Sequence, residues 1–289
     1  MYYNRKISNS FSVLIESGGK LRWLFDLVKK RDDLDFLIGK NNSKEWISVY
    51  RGLTSIIKIT GYKKSDDIKI DGAKSYKIIL PQLYGRKSIS EMFKKELEHL
   101  INIISKNEKF DKYYKNKKEG YYQNILSRKY GIFGDKDDDF VIIDKEAVVG
   151  YLNQKEKDTV FKKILPKYKQ FQHDISAKNS KRYGKDIEKK SVGNELDFLA
   201  LDKNGNILLI EYKHGTNTSG IYLSPIQIGM YYDIFTNFPR KDLEKAVFEM
   251  LIQKQKIGLI CPNWVIPKKI KDIIPVLIIS EYNYKSSAK

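Results

Sequence analysis

Three residues carry charges that packing does not explain. Asp197 interrupts the apolar run Leu196-Asp197-Phe198-Leu199-Ala200-Leu201, and Glu211 and Lys213 close the run Ile207-Leu208-Leu209-Ile210-Glu211-Tyr212-Lys213. A charge in a hydrophobic strand is expensive unless it is paired or binds a metal. Carboxylates without Cys or clustered His beside them are hard oxygen donors, which select Mg²⁺ or Mn²⁺ over zinc. Asp197, Glu211 and the main-chain carbonyl of Tyr212 are therefore the candidate metal ligands. Such an ion activates a water and stabilises charge on a phosphoryl group, and Lys213 beside it positions that water or lowers its pKa. Since such charges cost stability where they sit, Asp197→Ala or Lys213→Ala is expected to spare the fold.

For these groups to meet, the two runs must be neighbouring strands. The cluster Asp202-Lys203-Asn204-Gly205-Asn206 between them is a turn signal, so the spacing predicts a hairpin with strands over 196–201 and 207–212. Side chains alternate with period two, which puts Glu211 and Lys213 on one face with Leu209. Downstream, Ser224-Pro225-Ile226-Gln227 predicts a helix with Ser224 as its N-cap and Pro225 at its first position. Gln227 and Tyr231, four apart, share a face of that helix. Gln227 reads either as the capping-box partner of Ser224 or as a group that holds the lysine or the substrate. Tyr231 reads either as a core aromatic or as a nucleic-acid contact.

Asp197 followed fourteen positions later by Glu211-Tyr212-Lys213 on the next strand resembles the PD-(D/E)xK nuclease superfamily, with Leu196 in place of the proline. Gln227 and Tyr231 resemble the Gln-x-x-x-Tyr element of its RecB-like branch. The resemblance spans residues 115–280 or so. It implies an α/β fold with a restriction-endonuclease-like αβββαβ core and mixed sheet, and Mg²⁺- or Mn²⁺-dependent hydrolysis of phosphodiester bonds. DNA is implied as the partner in preference to RNA, in the setting of a DNA endonuclease of phage defence, restriction or repair. A homodimer or a partner protein of a defence system also belongs to that setting. Some RecB-like families place a Glu at the start of the first core helix, reaching toward the metal; Glu119 holds that position here and is the candidate ligand for a second ion, with Glu96, Glu98, Glu188 and Glu195 as alternatives. A non-catalytic nucleic-acid-binding module on the same fold is the alternative.

The composition agrees with a polyanionic partner. Fifty-four Lys and Arg against 36 Asp and Glu leave a formal charge of +18 over 289 residues, and phosphate neutralisation supplies most non-specific affinity for nucleic acid. Codon bias toward A/T gives the same excess of Lys without selection for binding. Hydrophobic content of 41% is enough for a real core. No apolar run reaches the roughly 18–20 residues that span a bilayer, so no membrane partner is expected. The start of the sequence lacks the pattern of a signal peptide, and Cys261 is the only cysteine, which together fit a reducing cytoplasm. No Gly-x-x-x-x-Gly-Lys-Ser/Thr loop is present, which argues against a metal-dependent nucleotide hydrolase and against an ATP-driven motor on this chain.

Two domains are expected: a β-rich recognition or regulatory domain over 1–105 and the nuclease-like domain over 106–289. In the first, strands are predicted at 11–16, 46–50, 55–59 and 76–80, with a short helix at 20–30. A helix follows over 88–105, then a Lys-rich linker over 107–118 and a helix over 119–131. Strands are expected at 140–143, 147–151, 257–261 and 276–280, with a helix over 242–253. A Lys-rich insertion at about 152–192 contains a helical pattern that Pro166 should break. Lys181, Arg182, Lys185, Lys189 and Lys190 in this insertion are candidate phosphate contacts, entering the Asp197 strand.

Overall fold

The computed structural model describes residues 1–3, 5–41, 44–62, 65–107, 114, 118–184 and 195–283. The fold is mixed α/β, with two sheets that belong to two compact units. A meander unit comprises Asn4–Asp138 and Glu249–Trp264, and a mixed-sheet unit comprises Met1–Tyr3, Asp139–Phe248 and Val265–Lys289.

In the meander unit, α1 (Asn9–Ser12) and α2 (Arg22–Lys29) precede β1 (Asp35–Asn41), β2 (Lys44–Arg51), β3 (Thr54–Tyr62) and β4 (Ser65–Asp71). Then come α3 (Lys74–Lys77), a 3-10 turn (Pro81–Leu83), β5 (Gly85–Ser88), α4 (Glu91–Lys106) and α5 (Glu119–Lys129). The five strands run antiparallel in chain order. Alternate strand residues Phe36, Ile38, Ile47, Val49, Ile57 and Ile59 share one core with Phe25 and Val28 of α2 and Phe93, Leu97, Leu100 and Ile101 of α4. Ser90 starts α4 by accepting the Phe93 N–H at 3.3 Å. The buried face of α5 is polar, namely Gly120, Gln123, Asn124, Ser127 and Arg128. Arg128 donates to the carbonyls of Val28, at 3.0 Å, and Leu34, and so ties α5 to the end of α2 and to the residue before β1.

In the mixed-sheet unit, β6 (Phe140–Ala147), α6 (Gln154–Tyr183), β7 (Leu196–Asp202) and β8 (Ile207–His214) are followed by α7 (Thr218–Thr236), α8 (Arg240–Ile257), which belongs to the meander unit from Glu249 on, and β9 (Ile273–Ser280). The sheet order is β6-β7-β8-β9. The first three strands form an antiparallel meander, and β9 lies parallel to β8. A parallel pair needs a crossover, which α7 and α8 provide. Helix α7 packs on β8 and β9, and α6 packs on α7. The β7–β8 turn is closed by Asp202, whose carboxylate accepts the Asn206 N–H at 2.7 Å. Gly205 in that turn has φ +92°, and a Cβ there would lie 2.4 Å from the Lys269 carbonyl, so only glycine fits.

Several sequence expectations are corrected. The compact units do not follow a 105/106 division: α5 and residues up to Asp138 belong with the meander, and Glu249–Trp264 returns to it. Residues 11–16 and 76–80 are not strands. Ser8 caps α1 by accepting the Phe11 N–H, and Lys74–Lys77 is a helical turn; short apolar runs do not distinguish the two periods. The expected strand at 140–143 is the start of β6, which runs on to Ala147 with a bulge after Ile142, whereas of the expected strand at 147–151 only Ala147 is in β6 and Gly150 makes an isolated bridge to Tyr2. Pro166 does not break α6, which runs for 30 residues with the proline inside it. Its buried side chains Ile164, Tyr168, Gln172 and Ser176 recur every four residues as a packing stripe. The Tyr168 hydroxyl donates to Asp233 of α7 at 2.7 Å. Helix α7 starts at Thr218 under an Asn217 cap, so Ser224 and Pro225 are interior and Gln227 completes no capping box. The expected strand at 257–261 is the end of α8, where Gly258 at φ +87° and Leu259 both donate to the Lys254 carbonyl. The 107–118 linker lies almost wholly outside the described residues. No helix among the described residues is long and apolar enough to cross a membrane.

Candidate functional site

The β7–β8 ladder pairs Leu201 with Ile207, Ala200 with Leu208, Leu199 with Leu209 and Phe198 with Ile210. One more step would set Asp197 opposite Glu211, and there the ladder gives way to side chains. The Asp197 carboxylate accepts the Tyr212 N–H at 2.7 Å through Oδ2. The Lys213 ammonium contacts Glu211 Oε1, donates to the Tyr212 carbonyl at 3.0 Å, and lies 3.8 Å from Asp197 Oδ2. The three candidate ligands and the candidate lysine are thus brought together at one strand end. Their depths differ: the Glu211 side chain is 1% exposed, Lys213 8% and Asp197 22%. Asp197 is the member open to solvent.

Helix α7 covers this end of the sheet with Tyr231 and Gln227. Tyr231 is 4% exposed, and its hydroxyl has no hydrogen-bond partner of good geometry among the described residues. Burial pushes its phenol far above the usual tyrosine range; the Glu211 carboxylate and, more weakly, Asp197 and Glu195 add to this, while the adjacent Gln227 side chain works the other way. Tyr231 is therefore no surface contact for a base, as the nucleic-acid reading required. It is a buried hydroxyl beside the carboxylates. Gln227 is partly exposed.

Sequence reasoning missed Asp144. Its pairing with Leu199, which in turn pairs with Leu209, places it on the sheet face of Asp197, Glu211 and Lys213. Asp144 is 2% exposed and accepts the Tyr3 hydroxyl at 2.6 Å, and the Tyr3 ring packs edge-on against Phe235 of α7. The run Val141-Ile142-Ile143-Asp144 carried the same signal that found Asp197, a charge inside an apolar strand. The next residue, Lys145, is on the opposite face, 6.0 Å from the centre of the Phe198 ring.

Glu119 opens α5 as expected, in the meander unit, whereas the strands bearing Asp197 and Glu211 belong to the mixed-sheet unit. Lys181 and Arg182 are exposed in the last turn of α6; Lys185, Lys189 and Lys190 lie outside the described residues. Among the described residues no three His, Cys, Asp or Glu side chains converge as a metal-binding group. What converges instead is two carboxylates and a carbonyl, gathered around the ammonium of Lys213. These are hard oxygens already oriented on a cation, and as a donor set they suit a single Mg²⁺ or Mn²⁺ rather than a pair. Compared with known proteins, the chain matches no family model, no curated protein and no solved structure.

Proposed function

We propose that this protein is a metal-dependent nuclease that hydrolyses phosphodiester bonds in nucleic acid, DNA in preference to RNA, in the manner of the PD-(D/E)xK nucleases. One observation carries the reading: the Asp197 and Glu211 carboxylates and the Tyr212 carbonyl converge on the Lys213 ammonium at the end of adjacent strands. The sheet supports it, because β6, β7 and β8 form an antiparallel meander and β9 lies parallel to β8 after a helical crossover, a mixed sheet as expected for such a core. The charge of +18 and the exposed Lys181 and Arg182 support a phosphate-bearing partner.

In this reading Asp197, Glu211 and the Tyr212 carbonyl hold one Mg²⁺ or Mn²⁺, which supplies Lewis-acid stabilisation of the scissile phosphate. Asp197, the exposed carboxylate, faces the substrate side. Lys213 orients the attacking water and offsets negative charge on the phosphate in the transition state. Gln227, partly exposed on α7, orients the lysine or the phosphate backbone. Restriction, phage defence and DNA repair are the settings this chemistry serves.

Purified protein incubated with circular DNA, linear DNA and RNA, each with Mg²⁺, Mn²⁺ or EDTA, tests the proposal. Cleavage of circular DNA that EDTA stops is the expected outcome. The second reading, a non-catalytic binding module, keeps the same fold and the same basic surface, and among the described residues no three His, Cys, Asp or Glu side chains converge as a metal-binding group. It predicts retention of nucleic acid with no cleavage under any condition.

A further inference from the structure

The oxygens assigned to the divalent ion are the same ones that hold Lys213. Its Nζ contacts Glu211 Oε1 and lies 3.0 Å from the Tyr212 carbonyl and 3.8 Å from Asp197 Oδ2. Glu211 is buried to 1% exposure, where an uncompensated carboxylate is costly, so a cation belongs beside it at all times. The same three oxygens cannot ligate a divalent ion fully while they hold the ammonium, because the two cations would share lone pairs and repel each other at a few ångströms.

We infer that Lys213 is a built-in counter-ion that competes with the divalent cation for Asp197, Glu211 and the Tyr212 carbonyl, so that the ion binds only as the ammonium withdraws. The inference rests on the metal site of the proposed function and adds to it an order of events. In the ion-free protein the lysine neutralises the carboxylates and keeps the strand ends together. On loading, the ion takes over those oxygens, and the same displacement releases the ammonium toward the solvent-open Asp197 side, where water and phosphate arrive. Loading and arming of the lysine are then one event.

Competition has a signature opposite to that of a helper lysine. Removing a competitor tightens binding of the ion, whereas removing a helper weakens it or leaves it unchanged. Calorimetric titration of the full chain with Mn²⁺ is therefore expected to show one ion bound about tenfold or more tightly by Lys213→Met than by wild type, since the variant has no ion pair to give up. Asp197→Asn, which keeps Lys213 and loses a ligand, is expected to bind Mn²⁺ more weakly than wild type. Equal or weaker Mn²⁺ affinity in folded Lys213→Met overturns the inference.

If burial of an unpaired Glu211 unfolds that variant, the wild-type chain still decides. Lys213, 8% exposed in its ion cluster, is expected to react several-fold faster with an acylating reagent when Mn²⁺ is bound, read from its peptide by mass spectrometry. Measured Mn²⁺ binding with unchanged Lys213 reactivity overturns the inference and leaves the metal site standing. Absence of Mn²⁺ binding in both proteins removes the metal site itself, and the inference with it.

Discussion

Glu211 sets the energetic terms at the strand end, because it is buried and Lys213 supplies its nearest positive charge. Lys213→Ala leaves that carboxylate without its partner and is expected to cost about 3–5 kcal/mol of stability, whereas Glu211→Leu combined with Lys213→Met is expected to be near neutral. Urea unfolding of the single and double variants checks this, and losses that simply add would show that the pair is no energetic unit. The expectation that Lys213→Ala spares the fold came from treating each strand charge as isolated; the observed ion pair reverses it. Asp197 is different, being partly exposed and accepting one backbone N–H. Asp197→Ala is expected to lose about 1 kcal/mol, to melt cooperatively by circular dichroism, and to have no cleavage activity; full activity in the pure variant ends the assignment. Away from the site, Asp33 carries a separate prediction. Burial raises its carboxyl pKa, but the Arg31 hydrogen bonds and the Arg31 and Arg51 charges outweigh this and hold it below its ordinary 3.8. A depressed folded pKa means stability that is present above 3.8 and lost as pH falls through the folded value. Wild type is therefore expected to exceed Asp33→Asn by about 2 kcal/mol at neutral pH, with the gap closing in urea melts taken below pH 3.8; a gap that widens with acid contradicts it. Asp197, Glu211 and Lys213 are legible from the sequence because charges stand out in apolar strands and the turn fixes which residues meet. Asp144 gives the same signal, but the bulge after Ile142 that sets its face has no signature in a run of Val and Ile.

Among the elements, the β7–β8 hairpin is the most legible and α6 the least. The hairpin has two β-rich runs and an Asn-Gly turn whose conformation is local. For α6, the sequence shows a Pro in mid-run and many lysines, both signals of a loop, yet the stripe of Ile164, Tyr168, Gln172 and Ser176 against α7 holds 30 residues helical through it. Tertiary packing overrides the local penalty, which is the part of the fold that spacing alone cannot weigh. The same cause hides the start of α7: its first turns have weak propensity, but Gly220, Ile221, Leu223 and Ser224 are buried. Helix α6 has one buried stripe, so its lysines point outward, and Lys181 and Arg182 end it in exposed positions shortly before β7. Neutralising Lys181, Arg182 and Lys185 together is expected to weaken nucleic-acid binding on every sequence and to lower the magnitude of the salt slope by about one per lost phosphate contact. Fluorescence anisotropy across a salt series measures both quantities. An unchanged slope, with Mn²⁺ binding intact, leaves α6 with a packing role alone.

At the scale of the whole molecule, neither compact unit is a continuous stretch of chain. Met1–Tyr3 belongs to the mixed-sheet unit, Asn4–Asp138 to the meander unit, Asp139–Phe248 to the mixed-sheet unit again, Glu249–Trp264 to the meander, and Val265–Lys289 to the mixed sheet. A sequence read from left to right assigns domains as consecutive blocks, which is why the division near residue 105 misses this weave. The returning segment is well anchored in the meander unit: Gln253 exchanges hydrogen bonds with the backbone of Ile7, at 3.0 Å and 2.8 Å, and Ile257 and Leu259 sit in the same core as Phe25 and Leu97. The first residues are tied in the opposite sense, Tyr2 pairing with Gly150 and Tyr3 with Asp144. A fragment starting at residue 106 or 139 therefore keeps every proposed ligand but loses Tyr3 and strips Gln253, Ile257 and Leu259 of their partners. Newly exposed aliphatic residues and unpaired buried polar groups both favour aggregation over a unique fold. Fragment 139–289, expressed alone, is expected to be insoluble or to lack a cooperative thermal transition, and co-expression with 1–138 is expected to restore one. A monomeric 139–289 that melts cooperatively would show that the mixed-sheet unit folds without residues 1–138.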